Sequence, residues 1–249
     1  MILTVDIGNT NISLGCFEGK KLLSHSCING KSLVQKNENP LLETFTVKEI
    51  QAIVISSVNP EYEVAFCKYL KKRYTQKVLK IGREIELKLP ILVEKPERVG
   101  TDRLLNAFAA YRLTQTATIV VDFGTALTID IVSKDGEFLG GVILPGIETS
   151  AYALKNRTAF LPKVEIRKPS KMIGKNTDSA ISSGIYNGTV GAVLYILEEL
   201  QKEVCDVQCI MATGGDANTF IADLPQINRV VPHLTLEGIR IAFEENFAG

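Results

Sequence analysis

Two segments of the chain carry the same arrangement of chemistry-bearing residues. Residues 4–13 read TVDIGNTNIS and residues 120–132 read VVDFGTALTIDIV. In each, an apolar run delivers an aspartate, a glycine follows two positions later, then come small polar residues and a second β-like run. The aspartates, Asp6 and Asp122, stand 116 positions apart (122 − 6). A carboxylate at the carboxyl end of a strand can hold hydrated Mg2+, or a water bound to it. Gly8 permits a tight turn and close approach of backbone to a ligand. The amides and short side chains of Asn9, Thr10 and Asn11 suit phosphate oxygens. One such copy could equally be a polar hairpin whose Asp and Asn satisfy their own turn amides. The second copy, together with Thr213-Gly214-Gly215-Asp216 after a late strand, favours two turns that hold the two ends of a nucleotide.

Other readings of these letters fail on their companions. Asp122-Phe123-Gly124 matches the magnesium-binding triplet of protein kinases, but the glycine-rich loop, strand lysine and His-Arg-Asp motif that accompany it there are missing. Gly30-Lys31-Ser32 resembles the end of a Walker loop, yet His25 occupies the place of its first glycine. No Gly-x-Gly-x-x-Gly follows the first strand.

Composition narrows the class further. The chain has 249 residues, 45% of them hydrophobic and 22% charged, as in ordinary globular proteins. Its 28 basic and 28 acidic residues cancel, so no global field favours nucleic acid or an anionic membrane. Met1 leads straight into a strand, so no signal peptide is expected, and no apolar run reaches the length of a spanning helix. Five cysteines without close pairs argue against a disulfide framework and for a reducing cytoplasm. Cys205 and Cys209 could face each other on a helix, but no second pair completes a zinc site. With two histidines, His25 and His233, a His-based metal site or a Ser-His-Asp triad is not expected.

The elements that position these residues alternate. MILTVDIG reads as a strand stopped by Gly8, and NISLGCFEGKKLLSHSCI as two strands joined near Glu18-Gly19-Lys20. KEIQAIVISSVNP contains a buried strand. PEYEVAFCKYLKKRY is a helix with Pro60 in its first turn and Val64, Phe66, Tyr69 and Leu70 as apolar positions. After the strand QKVLKIG, a Pro-punctuated loop leads to a helix that opens near Asp102. From Thr114 the strand-turn-strand-strand pattern restarts, and a long helix runs from about Asn176 to Val204. Strand VQCIMATGG and the segments DANTFIADL, QINRVVP and TLEGIRIAFEENF complete the alternation. The expectation is two α/β lobes, 1–113 and 114–249, with ligands between them.

Asp102 sits at a Gly-led loop-to-helix boundary. It could cap that helix or take the proton of an alcohol nucleophile in phosphoryl transfer. Arg103 could bind a carboxylate. Thr177, beside Asp178, opens the long helix and could be its cap. Downstream, Gly184, Gly188 and Gly191 form a small-residue stripe for close helix approach, within the lobe or between two copies.

The Asp-x-Gly and Thr-Gly-Gly motifs resemble the actin/hexokinase/Hsp70 nucleotide-binding superfamily. VDIGNTNISLG, PERVGTDRLLNAFAAY, VVDFGTALTIDIV, GGVILPG, RTAFLP, IGKNTDSAISSGIYNG and ATGGDA occur in the order found in type III pantothenate kinases. The resemblance spans essentially the whole chain, and GTDR with its neighbours is its most specific part. It implies a two-lobed, duplicated ribonuclease H-like α/β fold with ATP in the interlobe cleft, and ATP-dependent phosphorylation of pantothenate at the start of coenzyme A synthesis. It also implies that Asp6, Ile7, Gly8, Asn9, Thr10, Asn11, Ile12 and Ser13 form a phosphate loop, with Thr125 facing ATP. Gly100, Thr101, Asp102 and Arg103 hold pantothenate, with Asp102 as general base, and Thr177 faces the same substrate. Asp122 is the ligand of a monovalent cation, K+ or NH4+, and Asp6 serves Mg2+. A cytoplasmic homodimer is implied, without nucleic-acid or membrane partners.

Many members carry tyrosine three residues before the proline of PERVGTDR; here Val93 stands there. Two other readings remain. A related small-molecule kinase acting on a sugar or acetate predicts longer lobes and gives no reason for VGTDR. A non-catalytic regulator of the same fold predicts loss of Asp6, Asp102 or Asp122, and all three are present.

Overall fold

The structure, a computed structural model, describes residues 1–36 and 50–247. The first two residues of the KEIQAIVISSVNP segment lie outside the described residues. Strand β1 (Ile2–Ile7) pairs antiparallel with β2 (Asn11–Glu18), which pairs antiparallel with β3 (Lys21–Asn29). On the other side of β1 lie β4 (Ala52–Ser57) and then β5 (Val78–Lys80), both parallel to their neighbours. The order is β3-β2-β1-β4-β5. The second half repeats it. Strands β6 (Thr118–Phe123), β7 (Ala126–Val132) and β8 (Phe138–Pro145) form the meander, and β9 (Cys209–Thr213) and β10 (Arg229–Val230) add in parallel beyond β6. Its order, β10-β9-β6-β7-β8, is the first order read from the opposite edge. The central strands β1 and β6 are mostly apolar and almost wholly buried because both of their faces are covered. Most of β3 is exposed, as an edge strand allows.

Helices α1 (Gly30–Lys36), α2 (Pro60–Arg73) and α3 (Thr101–Thr114) follow the first meander. Helix α2 starts as its sequence requires: the Asn59 side chain accepts from the Tyr62 amide at 3.1 Å, and Pro60 needs no amide partner. Phe66 and Leu70 are fully buried against the first sheet, each contributing about 1.5–3 kcal/mol. Val64, expected on that apolar face, is 55% exposed, and Tyr62 takes the buried place instead. The second half carries α4 (Ile147–Arg157), α5 (Thr177–Glu203), the short α6 (Ala217–Phe220) and α7 (Leu234–Phe247).

Two compact units result. One comprises the described residues of Met1–Pro90, Glu94–Ala109 and the chain from His233 onward; the other comprises Ile91–Val93 and Ala110–Pro232. The expected division, 1–113 and 114–249, differs from this in α7, which packs on β1, β2 and β4 of the first unit. Gly238 makes that approach possible, since a Cβ there would lie 2.6 Å from the Leu105 carbonyl oxygen. The Thr235 hydroxyl donates to Asn106 Oδ1 at 2.8 Å. His233, just ahead of α7, stacks on His25 of β3 with centroids 4.0 Å apart, and burial lowers the pKa of both.

Two further expectations change. Cys205 and Cys209 do not share a helix: α5 ends at Glu203, Cys205 lies in the following turn and Cys209 is on β9. All five cysteines are free thiols. Helix α5, moreover, is long and apolar enough by length and composition to cross a membrane. In this fold its Ile181, Tyr186, Val193, Leu197 and Leu200 are buried, four of them in the core of the second unit.

Tyr186 is the anchor of that core. It is 1% exposed and stacks on Phe220, whose ring also stacks on Phe123. Its hydroxyl lies 2.6 Å from Asp223 Oδ2 and 3.1 Å from the Thr219 carbonyl. Burial first, then the Asp223 hydrogen bond and charge, push its pKa up to about 12. The unfolded chain releases this proton near pH 10, so the stabilisation is complete below that value and is lost as pH rises toward 12. Tyr186→Phe should therefore cost about 1 kcal/mol at neutral pH, and its deficit should shrink as pH rises from 10 toward 12. Denaturant midpoints of both proteins across that range check this; parallel losses would contradict it.

Candidate active site

Each central strand ends in the same local design. Asp6 is paired in register with Ser13 on β2 and Ser56 on β4. Asp122 is paired with Thr128 on β7 and Thr213 on β9. Neighbours in register project on the same face of a sheet, so each carboxylate stands between two hydroxyl residues. The sequence motif showed Asp6 and Ser13 together, but not Ser56. It missed that residue because parallel pairing of β1 with β4 leaves no local signature.

The turn after Asp6 is closed by a hydrogen bond from Gly8 N to Asn11 O at 2.9 Å. Thr10 O accepts from Gly30 N at 2.9 Å, which ties the turn to the start of α1. Asn9 and Asn11 are exposed, whereas Ile7 and Ile12 are fully buried. Only the backbone of those two isoleucines can face a ligand. Ser56 is 1% exposed, and its hydroxyl has no hydrogen-bond partner among the described residues. A buried hydroxyl without a partner beside a carboxylate fits a place where water and a hydrated divalent ion belong. Among the described residues, no group of three or more His, Cys, Asp or Glu side chains could hold a metal by itself. That is the usual situation for Mg2+, which keeps several waters and takes phosphate oxygens as ligands.

The Asp122 turn is more crowded. Gly124 N donates to Ala126 O at 3.2 Å. The Thr125 carbonyl accepts from Gly146 N at 3.1 Å and from the Thr149 hydroxyl at 2.6 Å, so the start of α4 clasps the turn. Asp216 N donates to Phe123 O at 3.2 Å from the other side. A Cβ at Gly146 would lie 2.1 Å from Gly124 O, and one at Gly214 would lie 2.5 Å from both Asp122 Oδ1 and Phe123 O. Gly214 also has φ +93°, a conformation that favours glycine. The Asp216 carboxyl is pushed up, by burial first and by the Glu148 charge second. The combination of carboxylate, hydroxyls and backbone carbonyls, crowded by glycine backbone at 146 and 214, is chemistry that suits a weakly hydrated monovalent cation.

Asp102 lies in the first turn of α3 but does not cap it. The first helical bond runs from Leu104 N to Gly100 O, which leaves Gly100 in the cap position. Asp102 Oδ1 instead accepts from the Arg103 amide at 2.9 Å. A Cβ at position 100 would lie 2.4 Å from that same oxygen, so glycine there makes room for the carboxylate. Thr101, Asp102 and Arg103 are all half-buried. Val93 belongs to the second unit, where its Cγ1 lies 3.5 Å from a Cβ built on Gly140.

Thr177 is not a cap either. Asn176 caps α5, accepting from Ser179 N at 2.8 Å, while Ser179 Oγ accepts from Asn176 N at 3.2 Å. Thr177 is exposed and lines a groove of about 650 Å³ with Lys175, Ile181, Gly184, Leu154 and Leu161.

Two matching sheets, each ending in a carboxylate between hydroxyls, give the duplicated two-lobed α/β fold of the actin, hexokinase and Hsp70 type. A 2-dehydro-3-deoxygalactonokinase assignment from Sinorhizobium meliloti has the same fold, with a TM-score of 0.60 at 11% identity over 99% of both chains. A Campylobacter jejuni protein assigned to the Baf family of transcriptional activators matches with a TM-score of 0.61 at 23% identity over 98% of both chains. The family model for type III pantothenate kinase matches residues 2–199. The type III pantothenate kinase of Moorella thermoacetica is 40% identical over 253 residues, covering 99% of this chain and 100% of its own. The chain belongs to the type III pantothenate kinase family. It phosphorylates pantothenate in coenzyme A synthesis, with ATP as donor and a divalent metal.

Proposed function

We propose that Asp102 is the general base of this reaction and that the two Asp-x-Gly turns divide the work on ATP between them. The observation that carries the first part is the half-buried Asp102 carboxylate in the first turn of α3: one oxygen accepts from the Arg103 amide, and the glycine at 100 leaves room beside it. The carboxylate accepts the proton of the primary hydroxyl of pantothenate as the new O–P bond forms and the bond from the γ-phosphorus to ADP breaks. Arg103, one position on, pairs with the substrate carboxylate, and Gly100 and Thr101 complete that side. The turn from Asp6 to Ser13 presents amides and short side chains to phosphate oxygens, with Asp6 and Ser56 holding waters of Mg2+. Bound Mg2+ neutralises charge on the phosphates. Thr125, exposed on the second turn, faces ATP.

Asp122 holds K+ or NH4+, with Thr128 or Thr213 as hydroxyl neighbours. The cation adds positive charge where the chain has no Walker lysine. We place the protein in the cytoplasm as a homodimer without nucleic-acid or membrane partners. Support for the dimer comes from α5: a Cβ at Gly184, Gly188 or Gly191 would meet nothing within 4 Å, so those glycines serve no packing inside the described chain.

Three measurements follow. Asp102→Asn keeps the shape but cannot take the proton, and turnover should fall about 10²–10⁴-fold with unchanged thermal unfolding; near-normal turnover removes Asp102 from the base role. Potassium should activate strongly over sodium at fixed ionic strength and saturating Mg2+, and Asp122→Ala should abolish that difference; equal rates in both buffers in the wild type defeat the cation assignment. Gly188→Leu should shift sedimentation from dimer to monomer and lower activity with it; a monomeric, active wild type rules out the dimer.

A further inference from the structure

The stretch between α4 and α5 is 19 residues long, 158–176, and has neither helix nor strand (176 − 158 + 1). A loop of that length inside a compact unit is usually either functional or disordered. This one is fastened along the flank of α5 by side chains. Ser182 Oγ accepts from Arg167 N at 3.3 Å and lies 3.1 Å from Arg167 O as its donor, so one hydroxyl serves both backbone groups of a residue as a neighbouring strand would. Ser183, 3% exposed, donates to Met172 O at 2.6 Å and accepts from Asn187 Nδ2 at 3.1 Å. Lys168 pairs with Asp223 at 2.6 Å, and Asp223 in turn meets the Tyr186 hydroxyl. The Lys168 hydrogen bond first, then that of Tyr186, hold the Asp223 carboxyl below its usual range. At Gly174 the strap touches the helix itself: a Cβ there would lie 2.3 Å from Ala180 N and 2.5 Å from Ala180 Cα.

Both ends of the strap line the same groove, through Leu161 at one end and Gly174 to Thr177 at the other. Its middle is held by the hydroxyls of α5 and by Asp223. A strap without backbone partners of its own depends on those side chains to satisfy its amides and carbonyls. Removing one leaves a strap carbonyl without its protein partner and lets the segment shift. We infer that Ser182, Ser183, Gly174 and the Lys168–Asp223 pair are positioning residues for acceptor binding: they fix the strap against α5, and the strap fixes where Lys175 stands beside Thr177 in the groove. This rests on the assignment of Thr177 to pantothenate made above. The groove is otherwise mostly apolar, and Lys175 has no ion-pair partner among the described residues.

The test uses the full-length Ser183→Ala and Lys168→Ala variants. The second removes an exposed pin and leaves the core intact. Steady-state kinetics with pantothenate and ATP are measured beside amide hydrogen exchange over residues 163–180 and thermal unfolding. Ser183→Ala should raise the KM for pantothenate about tenfold, the ratio expected for one lost buried hydrogen bond, with the KM for ATP unchanged and exchange faster over that stretch. Lys168→Ala should do the same to a smaller extent, as a part-exposed ion pair contributes less. Faster exchange with an unchanged pantothenate KM, equal rises in both KM values, or unchanged exchange overturns the inference. A wild-type protein that fails to phosphorylate pantothenate overturns the kinase reading first, and this inference with it.

Discussion

Backbone crowding at the end of β6 leaves no room for a side-chain carbon, and much of the second unit is arranged around that fact. The turn from Asp122 to Ala126, the start of α4 and the end of β9 meet there through main-chain atoms. Glycine at 146 and 214 is the condition for that meeting. With it, the Thr125 carbonyl can serve an amide and a hydroxyl together, and the backbone of Gly214 comes close beside the Asp122 carboxylate. A preorganised arrangement of this kind spends no reorganisation energy when charge moves nearby. The first unit builds the same strand end with looser packing: at Gly8 a Cβ would be 3.2 Å from Asn11 O, close but not prohibitive. The duplication thus yields one looser turn and one crowded turn from the same strand-end design.

Charge transfer of this type asks little covalent chemistry of a protein and much placement. The elements that do the placing are strand ends and helix starts, where the chain has unsatisfied amides and fixed direction. Asp102 and Thr177 both occupy the first turn of a helix, and in both cases a neighbour performs the capping. Asn176 thereby leaves Thr177 outside the cap, while Asp102 keeps one bond to the Arg103 amide.

The meanders were legible because their signals are local: alternation, Gly19 in the first hairpin, and Asp-x-Gly at the strand ends. The same holds for α2, whose Asn59-Pro60 start is written in the sequence. What stayed hidden depends on partners far along the chain. The pairing of Ser56 with Asp6 comes from a parallel crossover. The burial of Tyr62 in place of Val64 depends on α1, where Gly30 gives way to the tyrosine ring: a Cβ there would lie 2.2 Å from it. Periodicity alone cannot distinguish two adjacent stripes of a short helix. Cys205 and Cys209 had helical spacing, but the helix ended first. The strap of residues 158–176 has no period at all, and its bonds to Ser182 and Ser183 run from backbone to side chain. The family resemblance supplied the roles of Asp102, Asp122 and Thr177; residue spacing alone left each of them a cap or a turn residue.

The placement of α7 has a bearing on synthesis. The helix belongs to the first unit but is translated after every residue of the second. Its Leu234, Leu236, Ile239 and Ala242 are buried in the finished fold, and it packs on β1, β2 and β4. On the ribosome, the first sheet therefore emerges early and waits with part of one face uncovered, while the second unit has all of its strands before α7 appears. The order of completion along the polypeptide is reversed: the half that is made last closes first. An apolar sheet face kept waiting is an opening for chaperones and for unwanted strand or sheet contacts. Arrest of translation just after Pro232 would leave a chain whose second unit is whole and whose first is unfinished.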